Sequence, residues 1–225
     1  QLFASFEENQ QFYLVQEFVD GEELKKEVEH HVLNESQAIA LLQDVLGILD
    51  FIHKNNVIHR DIKPSNLIRR KQDGKFVLID FGAVKELSTL ALNWQEQPVN
   101  TQMVGTQGYM PPEQVVGKPT FASDIYALGR TVIYALTGKS PLEMEESPTG
   151  ELLNWRQYCQ VSLELGNILD NMCSPKYEKR YHSVVEVFED LEGLLLIDRT
   201  IGEGYHIIHY LGGKLGNRVY LAENL

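Results

Sequence analysis

The sequence predicts an α+β fold that is mainly helical, with strands at both ends of the chain and a hairpin in its first half. Three observations predict it. Helical segments are legible over 38–52, 123–136, 162–172 and 183–195, with apolar residues recurring at helical spacing. Two short apolar runs, 1–6 and 11–17, flank the polar Glu8-Asn9-Gln10 and read as a hairpin. A second pair, Leu67 to Arg70 and Lys75 to Ile79, flanks Lys71-Gln72-Asp73-Gly74, whose Asp-Gly is a turn signal.

The helices carry their own boundaries. Asn34 precedes the first and Gln37 follows three residues later, a capping box with Asn in place of Ser or Thr. Its stripe of Ala38, Leu41, Leu42, Val45, Ile48, Leu49 and Ile52 reads as core, and Asn55-Asn56 ends it. This helix is a rigid support rather than a site of chemistry. In the second, Leu128, Val132, Ile133 and Leu136 repeat helically until Gly138 and Pro141 stop it. Ser183 and Glu186 stand in a capping-box arrangement at the start of the last, and Trp155 anchors the segment before the third. Between them, 87–104 is polar and aperiodic, and so long an irregular stretch is functional or disordered. Tyr205 to Ala222 reads as strand, glycine turn, strand.

Composition bounds the partners. A formal net charge of −12 over 225 residues argues against nucleic acid, which wants a basic face. Cys159 and Cys173 lack metal-like spacing and are expected as free thiols in a reducing cytoplasm. No signal peptide and no membrane segment is legible, since the longest apolar run, Leu194 to Ile197, is far too short. The chain starts without Met and is expected to be a fragment, so an anchor outside this stretch stays open.

The chemistry is concentrated between Val57 and Gly82. His59-Arg60-Asp61 is followed by Asn66, five residues after Asp61, and then by Asp80-Phe81-Gly82 after a strand. Phosphoryl transfer needs a carboxylate beside the attacking hydroxyl and oxygen ligands that hold magnesium against the phosphates. Asp61 is placed for the first task, Asn66 and Asp80 for the second. The intervening hairpin brings Asn66 and Asp80 to one mouth.

On these residues the chain resembles the eukaryotic-type (Hanks-type) protein kinase family, most closely its bacterial Ser/Thr members. The resemblance implies a kinase-like fold with a helical large lobe and the last strands of a small lobe. It implies that Gln16 is the gatekeeper and that Glu17-Phe18-Val19 is the hinge that binds adenine. ATP and Mg2+ (or Mn2+) are the implied cofactors, contacted by Gln16, Glu17, Val19, Lys63, Ser65, Asn66 and Asp80. Asp61, Lys63 and Asn66 are the implied catalytic residues, and Lys63 favours a Ser/Thr acceptor. His59, Phe81 and Gly82 complete the structural signature. Gly105 to Glu113 resembles the end of an activation segment, with Pro111 where Ala is commonest. Thr106 then bonds Asp61 and Lys63, and Glu113 pairs with Arg180. Asp124 braces the catalytic loop in the family, although a surface helix-capping role fits the sequence too. Arg60 can pair with a phosphate on the activation segment, for which Thr101 is the best-placed acceptor.

The likeness covers residues 1–195, a kinase domain without its first strands and the helix glutamate. Residues 196–225 resemble the glycine-rich opening of a second kinase-like domain, with Lys214 and Asn217 where two glycines are usual. The expected function is ATP-dependent phosphorylation of Ser or Thr on a protein substrate. A non-catalytic nucleotide-binding or scaffolding module is the alternative, and a small-molecule phosphotransferase a third. Without the small-lobe lysine and its glutamate, residues 1–225 alone are expected to bind ATP weakly and transfer no phosphate at a useful rate.

Overall fold

The computed structural model describes residues 2–8, 11–81, 85–86, 105–148, 150–152, 154–195, 200–201, 204–214 and 217–224. Strands β1 (Leu2–Glu8) and β2 (Gln11–Gln16) form the first hairpin, antiparallel, with Glu8 opposite Gln11. A short strand β3 (Gly21–Glu23) and helix α1 (Leu24–His30) follow. The sequence reading missed both, because α1 has one apolar i, i+4 pair and no side-chain cap. The helix forms through tertiary contacts: Leu24 and Val28 are buried, and Glu27 takes the Arg69 guanidinium at 2.9 Å.

Helix α2 (Glu35–Lys54) begins with the predicted capping box, Asn34 and Gln37 exchanging bonds of 2.9 Å. Its stripe from Ala38 to Ile52 faces the core. Each fully buried leucine there is worth about 1.5–3 kcal/mol. Strand β4 (Val57–Ile58) leads out of α2, and a 3-10 turn over Pro64–Asn66 leads into β5 (Leu67–Arg70) and β6 (Phe76–Leu78). These form an antiparallel sheet in the order β3-β5-β6. Strand β7 (Lys85–Glu86) returns to pair with β4. Two-residue strands with partners far apart in sequence leave no period to read.

A short helix α3 (Pro112–Val115) precedes α4 (Phe121–Thr137), the most buried element. Every residue of α4 from Ala122 to Leu136 is buried except Tyr134, as for a helix that neighbours surround. Gly138 ends it at φ 69°, a left-handed cap that glycine adopts without penalty. Helices α5 (Leu163–Met172) and α6 (Val184–Leu194) pack around α2 and α4. Glu35 at the start of α2 accepts from the amide and hydroxyl of Ser162, the cap of α5. At α6 the expected box takes another form. Ser183 caps the Glu186 amide, but Glu186 reaches back to the amide of His182 rather than that of Ser183.

Strands β8 (Thr200–Ile201), β9 (Tyr205–Lys214) and β10 (Asn217–Asn224) form a sheet in the order β10-β9-β8. It rests on the helices through Ile207, fully buried, and through His209, whose Nδ1 lies 2.5 Å from Glu164. Cys159 and Cys173 are free thiols, and burial pushes the Cys173 thiol up to about 12. Among the described residues no helix is long and apolar enough to cross a membrane.

Candidate active site

The loop between β4 and the 3-10 turn is held from below by α4. Asp124, in the first turn of that helix, is fully buried, so its carboxylate needs donors. It takes three: the His59 amide at 2.9 Å, the Arg60 amide at 2.8 Å and His53 Nε2 at 2.9 Å. The surface-cap alternative for Asp124 is thereby excluded. Arg60 sits at φ 70°, left-handed for a side chain that disfavours it.

Asp61 stands at the centre of the site. Its Oδ1 accepts from the Thr106 hydroxyl at 2.7 Å. Lys63 Nζ lies 2.7 Å from its Oδ2, and Asn66 Nδ2 lies 3.2 Å from the same oxygen. Asn66 Nδ2 also donates to the Asp61 carbonyl at 2.8 Å. Lys63 donates to Thr106 Oγ1 at 2.9 Å, so one hydroxyl joins the lysine to the aspartate. The β5–β6 hairpin returns the chain as its spacing requires. The Ile79 amide donates to the Asn66 carbonyl at 2.9 Å, so the residue before Asp80 is bonded to Asn66. Asp80 is also left-handed, at φ 63°.

His59 is buried beneath this constellation, and its ring packs edge-on against Phe81 at 4.8 Å. Burial lowers its pKa against the opposing pull of Asp124, which favours the neutral ring. Its contacts fit the Nε2–H tautomer: Nε2 donates to the Ile79 carbonyl at 3.3 Å, and Nδ1 accepts from the Asp61 amide at 3.4 Å. Burial likewise pulls the Arg60 guanidinium below its ordinary value, with Asp124 opposing. Arg60 Nε is buried with no hydrogen-bond partner among the described residues.

The far end of the segment is anchored separately. Glu113 pairs with Arg180 at 2.5 Å and accepts from Ser123 Oγ at 2.8 Å. Arg180 is itself buried, donates to the Ser174 carbonyl and lies over the Tyr126 ring. Elsewhere, Gln16 ends β2, Glu17 is exposed, and Val19 and Ser65 are half-buried. Gly82, Thr101 and the side chain of Gln16 lie outside what is described. The sequence reading missed three contributors: His53, Ser123 and Gln114, whose Nε2 donates to the Arg60 carbonyl at 2.6 Å. His53 carried a faint signal, a polar residue next to Ile52 on the buried stripe of α2.

A family profile described as "Protein kinase domain" matches residues 1–190. Serine/threonine-protein kinase PknA of Nostoc sp. is 43% identical over 194 residues, spanning 85% of this chain and 34% of that protein. Serine/threonine-protein kinase B of Synechocystis sp. is 46% identical over 196 residues, with the same coverage of 85% and 34%. The chain thus spans about a third of the length of these curated relatives. The solved kinase domain of Mycobacterium tuberculosis PknI is similar with a TM-score of 0.66 at 21% identity. It covers 85% of this chain and 70% of that one, a likeness of fold.

Proposed function

We propose that this chain, which belongs to the protein kinase domain family, carries the catalytic-loop half of an ATP-dependent protein serine/threonine kinase. The observation that carries the reading is the Asp61 carboxylate, held at once by Lys63, Thr106 and Asn66. In this reading Asp61 orients the acceptor hydroxyl and takes its proton as the oxygen attacks phosphorus. Lys63, 2.7 Å from Asp61, offers positive charge where the transferred phosphoryl group gathers negative charge. A cavity of about 420 Å³ beside this group, lined by Lys63, Ser65, Thr106, Tyr109 and Tyr134 among others, has room for residues flanking the acceptor.

Asn66 and Asp80 would hold the divalent cation. Both are hard oxygen donors, which suit magnesium or manganese. Asn66 commits its nitrogen to Asp61, so Oδ1 is the atom it can offer a cation. Among the described residues no cluster of three His, Cys, Asp or Glu forms a metal cage. That fits a cation which takes its remaining ligands from phosphates and water. When bound, the cation draws negative charge off the phosphates. The adenine would rest on the backbone of residues 17–19. We read residues 196–225 as the opening strands of a further kinase-like unit.

The test uses the full-length protein with labelled ATP, magnesium and a panel of protein and peptide acceptors. Asp61→Asn is expected to lower kcat by orders of magnitude with little change in ATP affinity, because the hinge and metal ligands stay intact. Near-normal turnover in that variant would remove Asp61 from its role. Transfer to small molecules alone, or none in the wild type, would favour the other readings.

A further inference from the structure

Gln114 lies on the short helix α3, between Glu113 and Val115, and is 4% exposed. Its base is fixed, since Glu113 is bound to Arg180 and Ser123. Its Nε2 donates to the Arg60 carbonyl at 2.6 Å. That carbonyl belongs to the same peptide plane as the Asp61 amide. The amide's own bond, to His59 Nδ1, is long at 3.4 Å. The bond from Gln114 is therefore the tighter of the two that set the plane from which Asp61 projects. Arg60 needs such restraint, because its left-handed φ of 70° is costly for an arginine. Asp124 holds the amide of Arg60, and Gln114 holds its carbonyl.

The same side chain meets the other approach to Asp61. A Cβ on Gly105 would stand 2.6 Å from Gln114 Nε2 and 2.6 Å from Met110, so a side chain there would have to displace one of them. Gly105 has φ 130°, a second reason for glycine there. The next residue is Thr106, whose hydroxyl donates to Asp61. Gln114 thus bonds the Arg60–Asp61 peptide on one side and lies close against Gly105, the residue before Thr106, on the other.

We propose that Gln114 is a positioning residue that sets the pose of Asp61, transmitting the anchorage of α3 to the catalytic loop. This rests on the reading of Asp61 as the residue that orients the acceptor hydroxyl. Gln114→Met keeps the length of the side chain and removes the donor. Gln114→Glu keeps the shape and faces the carbonyl with an acceptor. In the full-length protein, both are expected to lower kcat about ten- to a hundredfold, the cost of a small misplacement of a reacting group. The KM for ATP should stay within about twofold, and Gln114→Glu should be at least as impaired as Gln114→Met. Val115→Ala, a half-exposed neighbour on the same helix, should leave both constants unchanged. Amide hydrogen exchange gives a readout free of activity. It should quicken over 57–66 in the Gln114 variants and stay unchanged over 124–136. Unchanged kcat with unchanged exchange overturns the proposal. So does a rise in ATP KM together with faster exchange throughout the lobe, which would mark Gln114 as packing alone. If the wild type transfers no phosphate, the kinase reading fails, and the exchange pattern decides the part of Gln114 by itself. Should Gln114→Glu fail to fold, Gln114→Met carries the test.

Discussion

Thr106→Val replaces the hydroxyl that joins Lys63 to Asp61 with a methyl group of nearly equal size. Two bonds go: the donation to Asp61 Oδ1 at 2.7 Å and the acceptance from Lys63 Nζ at 2.9 Å. Asp61 is not abandoned, because Lys63 remains 2.7 Å away and Asn66 3.2 Å away. A hydrogen bond to a charged group is worth about 1.5–3 kcal/mol net. The side chains of Lys63 and Asp61 are 23% and 13% exposed, so water replaces part of what is lost and the low end applies. A loss of about 1.5–2 kcal/mol in the orientation of Asp61 corresponds to roughly a ten- to thirtyfold fall in kcat. The KM for ATP should not move, since no hinge or metal ligand is touched. Steady-state phosphorylation of a peptide acceptor by the full-length protein, at saturating ATP, reads both constants. Thr106→Ser keeps the hydroxyl and should stay within about threefold of the wild type. Turnover of Thr106→Val within twofold of the wild type would contradict this role for the hydroxyl. The role is equally refuted if Thr106→Ser is as impaired as Thr106→Val, for then the methyl group matters and the hydroxyl does not.

Two further outcomes concern stability. Burial lowers the pKa of His59, so the unfolded chain binds this proton more readily than the folded one. Its contribution is complete above the unfolded value of about 6.5 and is lost as pH falls from there toward the lowered folded value. Urea unfolding at a series of pH values from neutral downward should show that loss, with a shallower slope in His59→Gln, whereas parallel slopes would count against it. At Arg60, whose φ is 70°, Arg60→Gly should be more stable than Arg60→Ala by about 1 kcal/mol, because glycine takes left-handed backbone without steric cost. Denaturant midpoints of the two variants measure this, and an alanine variant that is equal or better would contradict the strain.

The parts of the fold legible in the sequence are those where local chemistry and tertiary placement agree. Helix α2 carried a full apolar stripe and a reciprocal cap, and its observed start matches the reading to the residue. The β5–β6 hairpin was legible because Asp73-Gly74 sits between two short apolar runs, and Gly74 takes the positive φ of 72° that such a turn uses. Helix α1 was not legible, because its stability comes from burying Leu24 and Val28 and from the Glu27–Arg69 pair 42 residues away. The pairing of β4 with β7 failed to show for the same reason. At the candidate site, Asp61, Asn66 and Asp80 were proposed from motif spacing and the family resemblance it carries, and the contacts among Asp61, Lys63, Thr106 and Asn66 are where the structure adds geometry. Spacing could not find Gln114 or Ser123, whose parts depend on contacts across 54 and 10 residues rather than on any pattern. His53 hid in the apolar stripe of a helix that reads as pure core.

The left-handed backbone of Arg60 and the buried charge of Asp124 explain one another. Successive amides that converge on one anion form a nest, a geometry in which one residue takes left-handed backbone. Here the anion is a side chain of the protein itself: the amides of His59 and Arg60 bind the two oxygens of Asp124. A buried carboxylate without partners would cost several kcal/mol. The two amides, His53 and the favourable field in the first turn of α4 offset that cost. In exchange, the unfavourable φ of Arg60 is fixed by a bond at its amide and another at its carbonyl. The restraints on the loop backbone, from Asp124 and Gln114, are thus separate from those on the Asp61 carboxylate, which come from Lys63, Thr106 and the buried Asn66. Such an arrangement suits the proposed reaction. An arriving hydroxyl can compete for a carboxylate oxygen without disturbing the peptide that aims it, because that peptide is held at the Arg60 amide and carbonyl by bonds that do not involve the carboxylate.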